Sequence, residues 1–399
     1  MNDTLTGRPR IRLLAKRHRR VKTGHPWIYS NEIELTAEAK ALPAGSIVAF
    51  ENAGGEPLGA GFFNPKPLVV GRMLANDADI AIDAAFLETR IARARSLRDR
   101  LYPQPYYRLI HAEADGLPGL IVDRYGDVLS VQMNSAGVAA RQDEILAALQ
   151  AVIAPAGILA RADSPALGVE GLPAAADRLV GEIASPVELK ENGLTFLADL
   201  VGGQKTGWFY DQRENRAAVA AVSSGARVLD VYCYLGGFGM NAGAAGAAEI
   251  TFVDRSKPAL DLAAAAAERN GLAQLSAFER AEAFDFLEAA VKDGRRWDVV
   301  VVDPPAFVKS RKDLSAGLRA YRKLIRLAAR LVAKGGFLFA ASCSHNVDDA
   351  AFGEQVRHGL ADAGRNGRIL RVAGAGPDHP VHPFLAESAY LSSILLQLD

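Results

Sequence analysis

Between residues 8 and 75 the chain runs in short apolar stretches broken by turn residues: Ser46 to Phe50, then Asn52-Ala53-Gly54-Gly55, and later Leu68 to Arg72. Stretches of that length between glycine and asparagine punctuation predict strands, and so a small all-β module. The period then changes. Ile80, Ile82, Phe86, Leu87, Ile91 and Leu97 fall roughly on one side of a helix over 80–101, with arginines elsewhere. From 105 to 200, strands at Gly119–Asp123 and Val128–Gln132, a helix near 137–153 and a hairpin from Val187 to Leu200 predict an α+β insert. After 204, buried strands alternate with helices, the strands falling at 226–231, 250–253, 277–280, 298–302, 336–341, 368–372 and 389–397. That alternation predicts an α/β fold with a doubly wound parallel sheet of seven strands, whose ligands sit at the carboxyl ends of the strands. Three domains are expected: 1–78, 79–203 and 204–399.

With 399 residues, 49% of them apolar, the chain can fill sizeable cores, which excludes a disordered or collagenous protein. No eighteen apolar residues run uninterrupted and no signal-type stretch opens the chain, so neither a membrane span nor export is expected. Two cysteines, Cys233 and Cys343, form neither a disulfide framework nor a four-cysteine zinc site. They suit the reducing cytoplasm, and no metal is expected. The 46 basic residues cancel the 46 acidic ones, so only local clustering speaks of a polyanionic partner. Clustering is strong at the start, where Arg8, Arg10, Arg12, Lys16, Arg17, Arg19, Arg20 and Lys22 meet Asp3 as the only acid before position 25. His25-Pro26-Trp27-Ile28-Tyr29 follows. Basic charge beside aromatic faces suits an RNA backbone and stacked bases, with Arg17, Arg19, Arg20, Lys22 and Trp27 as candidate contacts. A solvated tail and a core tryptophan is the alternative.

The first βαβ unit after 204 reads Arg227-Val228-Leu229-Asp230-Val231-Tyr232-Cys233-Tyr234-Leu235-Gly236-Gly237-Phe238-Gly239, and a second strand ends in Asp254. Asp254 lies 18 residues past Gly236, where a carboxylate accepts both hydroxyls of an adenosine ribose. The glycine spacing is not that of a dinucleotide fingerprint, and an acid at Asp230 would repel a pyrophosphate while suiting an amino group. Both features favour S-adenosylmethionine. After the third strand, Glu282-Ala283-Phe284 offers an acceptor for an adenine amino group beside an apolar wall. Upstream, Lys205-Thr206-Gly207-Trp208-Phe209-Tyr210-Asp211-Gln212-Arg213 packs aromatic and hydrogen-bonding groups ahead of a helix. Phe209 and Asp211 could clamp the cofactor there, with Arg213 or Lys205 answering its carboxylate.

The fourth strand ends in Asp303-Pro304-Pro305-Ala306-Phe307, where two prolines fix the backbone and leave Asp303 and the carbonyls as rigid acceptors. The fifth runs into Ser342-Cys343-Ser344-His345. Lone cysteines are more often packing than nucleophiles. Adjacent strand ends, however, set Cys343 and Asp303 on opposite sides of one pocket. A thiolate adding to carbon 6 of a pyrimidine makes carbon 5 able to take a methyl from a sulfonium, and a carboxylate near ring nitrogen 3 assists. From 306 to 335 nine basic residues, Lys309, Arg311 and Lys312 at their head, face the single acid Asp313. This basic rim suits a polynucleotide backbone from which the target base is swung out.

These residues together resemble the bacterial 23S rRNA cytosine-5 methyltransferases, which join an N-terminal PUA domain, a central α+β domain and a class I methyltransferase domain. The resemblance spans nearly the whole chain. It rests on Arg19-Arg20 with His25-Pro26-Trp27, on Gly116-Leu117-Pro118-Gly119-Leu120, and on Lys205-Thr206-Gly207 through Asp211-Gln212-Arg213. Asp303-Pro304-Pro305 and Ser342-Cys343-Ser344 complete it, and Asp378-His379-Pro380 is similar as well. It implies Cys343 as nucleophile and Asp230, Asp254 and Glu282 at cofactor positions. It also implies 23S rRNA or a large-subunit assembly intermediate as partner, with a homodimer compatible with either. Three readings stay open beside it: a guanine or adenine N-methyltransferase that needs no cysteine, a catalytically idle RNA-binding assembly factor, and a nicotinamide oxidoreductase.

Overall fold

The computed structural model describes residues 7–162, 164–173, 176–202 and 207–399. The chain forms two compact units, one of Met1–Ser185, Leu200–Thr206 and Pro377–Ser388, the other of Pro186–Asp199, Gly207–Gly376 and Ala389–Asp399.

The first unit holds two sheets. β1 (Arg10–Arg12), β2 (Trp27–Tyr29), β3 (Ser46–Glu51), β4 (Pro57–Phe63) and β5 (Val69–Ala75) form a five-stranded sheet in the order β1-β3-β4-β5-β2. Leu13, Ile28, Val48, Phe50, Phe63 and Val70 close its core. Two five-residue helices interrupt the expected all-β text, α1 (His18–Lys22) and α2 (Ala37–Ala41). The Thr36 hydroxyl caps α2 by accepting from Ala39 N–H, and α1 buries only Val21. Neither is long enough to show a helical period in the sequence.

α3 (Ala84–Leu101) starts where Asp83 accepts from Phe86 N–H at 3.0 Å. Its buried face, Phe86, Leu87, Ile91 and Ala94, packs into the second core. That core is built on β6 (Tyr106–His111), β7 (Leu120–Tyr125), β8 (Val128–Met133), β9 (Gly157–Arg161) and β10 (Arg178–Gly181), ordered β10-β9-β8-β7-β6. β8 and β9 are parallel. The helical stretch between them is divided into α4 (Ala136–Ala139) and α5 (Gln142–Ile153), and α6 (Pro165–Val169) follows β9.

The second unit opens with the hairpin β11 (Val187–Glu191) and β12 (Leu194–Ala198). Then come α7 (Arg213–Ala220), β13 (Arg227–Val231), α8 (Gly237–Ala244), β14 (Glu249–Asp254), α9 (Lys257–Arg269), β15 (Ser276–Arg280) and α10 (Ala283–Lys292). β16 (Trp297–Val302), α11 (Leu314–Leu331), β17 (Val332–Ser342), α12 (Asp349–Asp362), β18 (Gly367–Ala373) and β19 (Ser392–Leu398) complete it. Seven strands form one sheet, β15-β14-β13-β16-β17-β19-β18, parallel except for β19, which runs antiparallel to both neighbours. Val299 to Val302 are all fully buried, as a central strand covered on both faces requires. The expected strands recur with small shifts. β17 starts four residues earlier than the apolar run suggests, because a register shift between Trp297 and Val299 lets Val332 pair before Gly335 and Gly336.

The hairpin that the sequence places at the close of the central domain packs instead with α9: Asn270 accepts from Thr195 N–H at 3.0 Å and donates to Thr195 O at 2.7 Å. Conversely, the stretch between β18 and β19 that carries Asp378-His379 groups with the first unit. There Asp378 accepts from Arg108 N–H at 2.9 Å and holds His379 Nδ1 at 2.8 Å.

Candidate active site

The turn after β13 is built against the usual backbone preference. Tyr232 and Tyr234 hold φ of 64° and 50°, and Gly236, at 79°, opens α8. Two non-glycine residues in the left-handed region within three positions store strain of the kind that marks ligand-facing turns. Asp230 is buried to 1% exposure; its Oδ2 accepts from Gly239 N–H at 2.9 Å, and its Oδ1 has no hydrogen-bond partner. Burial first, then the charges of Asp303 and Asp254, push its carboxyl up to about 7 against the pull of Gly239 N–H and Arg216. Asp254 is half-buried and accepts from Tyr234 N–H at 3.0 Å and Ser256 N–H at 2.8 Å. Glu282 is exposed at the start of α10. Burial raises the Tyr232 phenol, with Glu282 and Asp254 adding to the rise, so the structure brings Asp230, Asp254, Asp303 and Glu282 around one turn.

Upstream, Phe209 meets Tyr234 edge-on at 5.5 Å, which ties that segment to the same turn. Asp211 is buried; Tyr390 O–H donates to its Oδ2 at 2.5 Å, and its Oδ1 lacks a hydrogen-bond partner. Arg213 has a partner that the sequence did not reveal. Its Nε lies 3.5 Å from Glu191 Oε2, while Arg216 Nη1 is 2.6 Å from Glu191 Oε1 and its Nη2 donates to Phe209 O at 2.8 Å. Trp208 N–H donates to the same Glu191 at 2.9 Å, and the Arg216 guanidinium lies 4.2 Å from the Trp208 ring centre. Two guanidiniums sharing one carboxylate leave this trio with net positive charge. Lys205 lies outside the described residues, as does Thr206.

At the neighbouring strand ends, β16 and β17 pair in parallel with Val302 opposite Ala340. Asp303 follows β16, half-buried, and Cys343 Sγ lies 3.8 Å from Pro304 O, so the sulfur lies against the residue that follows Asp303. Cys343 is half-buried, whereas Cys233 is buried and its thiol raised well above the ordinary value by desolvation and by Asp230 and Asp254. Only Cys343 keeps the access a nucleophile requires. Sequence reasoning missed Tyr321, whose hydroxyl touches both serines beside Cys343. It also missed Glu191, Arg216 and Tyr390. Glu191 stands 22 residues before Arg213, so no local spacing could reveal that pair.

Among the RNA candidates, Arg17, Arg19 and Lys22 are exposed on and beside α1. Arg20 is tied to Glu32 at 2.7 Å and covers the Tyr29 ring at 4.5 Å. Trp27 donates to Glu113 at 2.8 Å, and Arg72 lies over its ring at 5.5 Å. Both therefore have roles within the first unit. In the second unit Lys309, Arg311 and Lys312 are exposed. Further along, Arg322 pairs with Asp362 at 2.6 Å and Lys323 with Glu288 at 2.7 Å, while Arg319, Arg330 and Lys334 are exposed like the leading three.

A family model described as S-adenosylmethionine-dependent methyltransferase matches residues 148–396, and one described as a PUA-like domain matches 11–76. The ribosomal RNA large subunit methyltransferase I of Aeromonas hydrophila is 36% identical over 394 residues, covering 97% of this chain and 98% of that protein. The protein of the same name from Klebsiella pneumoniae is 34% identical over 396 residues, covering 98% of each. Among solved structures, a methyltransferase complexed with SAH superposes with a TM-score of 0.84 at 21% identity, covering 98% of this chain and 100% of that one. A SAM-dependent methyltransferase from Streptococcus mutans superposes at 0.82, also at 21% identity and with the same coverage. Both establish the fold. No described helix is long and apolar enough to cross a membrane.

Proposed function

The chain belongs to the S-adenosylmethionine-dependent methyltransferase family, in the company of the ribosomal RNA large subunit methyltransferase I proteins, and from that premise we propose that it methylates carbon 5 of a cytosine in 23S rRNA through Cys343. The observation that carries this reading is the half-buried Cys343 thiol 3.8 Å from Pro304 O, one residue from Asp303, in a chain whose other cysteine is sealed.

The residues at the β13 turn fit the cofactor. Asp230 Oδ1, buried and without a hydrogen-bond partner, suits its amino group. Asp254 suits the ribose hydroxyls and Glu282 the adenine amino group, with Phe209, Asp211 and Gly236 enclosing the remainder. The net positive trio of Arg213, Glu191 and Arg216 favours its carboxylate over a second cation. When bound, S-adenosylmethionine supplies an electrophilic methyl group.

Everything else is done by the chain. The Cys343 thiolate forms a bond to carbon 6 of the extruded cytosine, the 5,6 double bond opens, and its electron pair makes carbon 5 nucleophilic. Asp303, as the acid, donates its proton to nitrogen 3 as thiolate addition places negative charge on the ring. Once carbon 5 carries the methyl, a general base takes its proton, the electron pair of that C–H bond restores the 5,6 double bond, and the bond from carbon 6 to sulfur breaks to release the Cys343 thiolate. Arg17, Arg19 and Lys22 in the PUA-like module and Lys309, Arg311 and Lys312 beside the site meet RNA phosphates. The substrate is cytoplasmic 23S rRNA, free or in a large-subunit intermediate.

Cys343→Ala tests the reading with 23S rRNA from a deletion strain. The variant should bind S-adenosylmethionine normally and leave the target cytosine unmodified when nucleotides are mapped by mass spectrometry. Continued turnover, or a methyl found on an exocyclic nitrogen, would establish N-methylation in its place.

A further inference from the structure

Tyr321 sits in the middle of α11 with no exposure, its ring held by Phe307 at 4.8 Å and, edge-on, by Phe352 at 5.5 Å. A phenylalanine would fill that space as well. The hydroxyl is costly in a dry core unless bonded, and it is bonded to the two serines that flank Cys343. Tyr321 Oη lies 2.9 Å from Ser342 Oγ and 2.9 Å from Ser344 Oγ. Both serines are themselves buried, at 1% and 0% exposure. Ser344 Oγ also accepts from Val308 N–H at 3.3 Å, in the segment that follows Asp303-Pro304-Pro305.

The supply of hydrogens orders this network. Ser342 O–H donates to Tyr321 Oη, which leaves the single phenolic hydrogen for Ser344 Oγ. Because the serines on either side turn toward one buried hydroxyl, the side chain between them is left to face the Asp303 loop. Cys343 Sγ is found there, 3.8 Å from Pro304 O. Burial raises the phenol's pKa against the lowering by its hydrogen bonds to Ser342 and Ser344, and charge on Cys343 adds to the rise.

We infer that Tyr321 is a positioning residue for the reaction at Cys343: one phenolic hydroxyl fastens the end of β17 to the loop after β16 and so sets the sulfur against Asp303. The inference rests on the nucleophilic role proposed for Cys343 and adds a residue that touches neither substrate nor cofactor.

The test uses the full chain, S-adenosylmethionine and a 23S rRNA transcript containing 5-fluorocytidine, whose fluorine blocks release and leaves a denaturation-resistant protein–RNA adduct. Tyr321→Phe keeps the ring and removes the hydroxyl. It should lower kcat on ordinary rRNA by about 10- to 100-fold, the loss expected when a reacting group shifts by roughly 1 Å. Adduct formation should slow by the same factor, with KM for RNA and the Kd for S-adenosylmethionine within about twofold of the parent. Ser344→Ala should move in the same direction, and the double variant should fall short of the product of the two single losses, since both single variants remove the Tyr321–Ser344 bond. Parent-like kcat and adduct formation in Tyr321→Phe would overturn the inference alone. If that variant also loses cofactor binding, Ser344→Ala with cofactor affinity intact decides: parent-like kcat overturns the inference, and a kcat loss supports it. If the parent protein itself forms no adduct, the nucleophilic role of Cys343 fails and the inference falls with it.

Discussion

Asp230 shows how one carboxylate links the pH response of the fold to that of the site. With its carboxyl at about 7 in the folded chain, against an ordinary value near 4, the folded protein holds a proton that the unfolded chain has already lost. The sign follows from linkage: the stability from that retained proton is complete below about pH 4, drains away as pH rises from about 4 to 7, and is gone above. Replacing Asp230 by Asn should therefore flatten the fall in melting temperature across that window, as differential scanning calorimetry of the cofactor-free protein would record. Cofactor binding should run the other way. An amino group prefers the ionised carboxylate, so affinity for S-adenosylmethionine should rise about tenfold from pH 6 to pH 8 in the parent protein and lose most of that slope in Asp230→Asn. Isothermal titration at the two pH values measures this directly, and an unchanged slope in the variant would move the proton to another group.

At the level of elements, the β13 turn and α8 depend on how closely the helix approaches the sheet. A Cβ placed on Gly239 would lie 2.3 Å from Phe252 Cε1 and 2.8 Å from Ile250 Cγ2, both on β14. Phe252 cannot retreat, because it is fully buried and stacked on Phe278 at 4.9 Å. Gly239→Ala should therefore cost about 1–3 kcal/mol, the usual penalty of overpacking, seen as a lower unfolding midpoint in denaturant. Gly353, inside α12 with open space around it, is the contrasting case: alanine there should stabilise by about 0.5–1 kcal/mol through helix propensity alone. Why the sequence revealed some elements and not others has the same physical root. Val299 to Val302 announce a strand because a strand covered on both faces needs unbroken apolar text. The grouping of Asp230, Asp254 and Glu282 was legible because a parallel sheet delivers its strand ends to one edge. The attachment of β11 and β12 to α9 was not legible, since it depends on Thr195 finding Asn270, 75 residues away. Tyr321 shares that obscurity: within α11 it reads as another apolar position, and its hydroxyl acquires meaning only where Ser342 and Ser344 arrive from β17.

Across the whole molecule, equal numbers of acids and bases hide an uneven distribution, and the ion pairs decide which bases remain for RNA. Nine basic residues crowd the stretch from Lys309 to Lys334, yet Arg322 is bound to Asp362 and Lys323 to Glu288. A cation already paired contributes little to counterion release, because binding a phosphate would first require giving up its carboxylate. Lys309, Arg311 and Lys312 are exposed in the second unit, as Arg17, Arg19 and Lys22 are in the first. For single-stranded RNA each phosphate left without its cation should reduce the slope of log affinity against log salt by about 0.7. Neutralising Lys309, Arg311 and Lys312 to Gln should thus flatten the slope by about 2, and neutralising Arg17, Arg19 and Lys22 by a similar amount. Arg322→Gln should leave it nearly unchanged. Filter-binding titrations of the full chain on a 23S rRNA transcript, run from low to physiological salt, separate these outcomes. If both units engage the same RNA, the six-residue variant should show the sum of the two reductions. A combined slope no flatter than that of either set alone would mean that only one of the two surfaces meets the RNA.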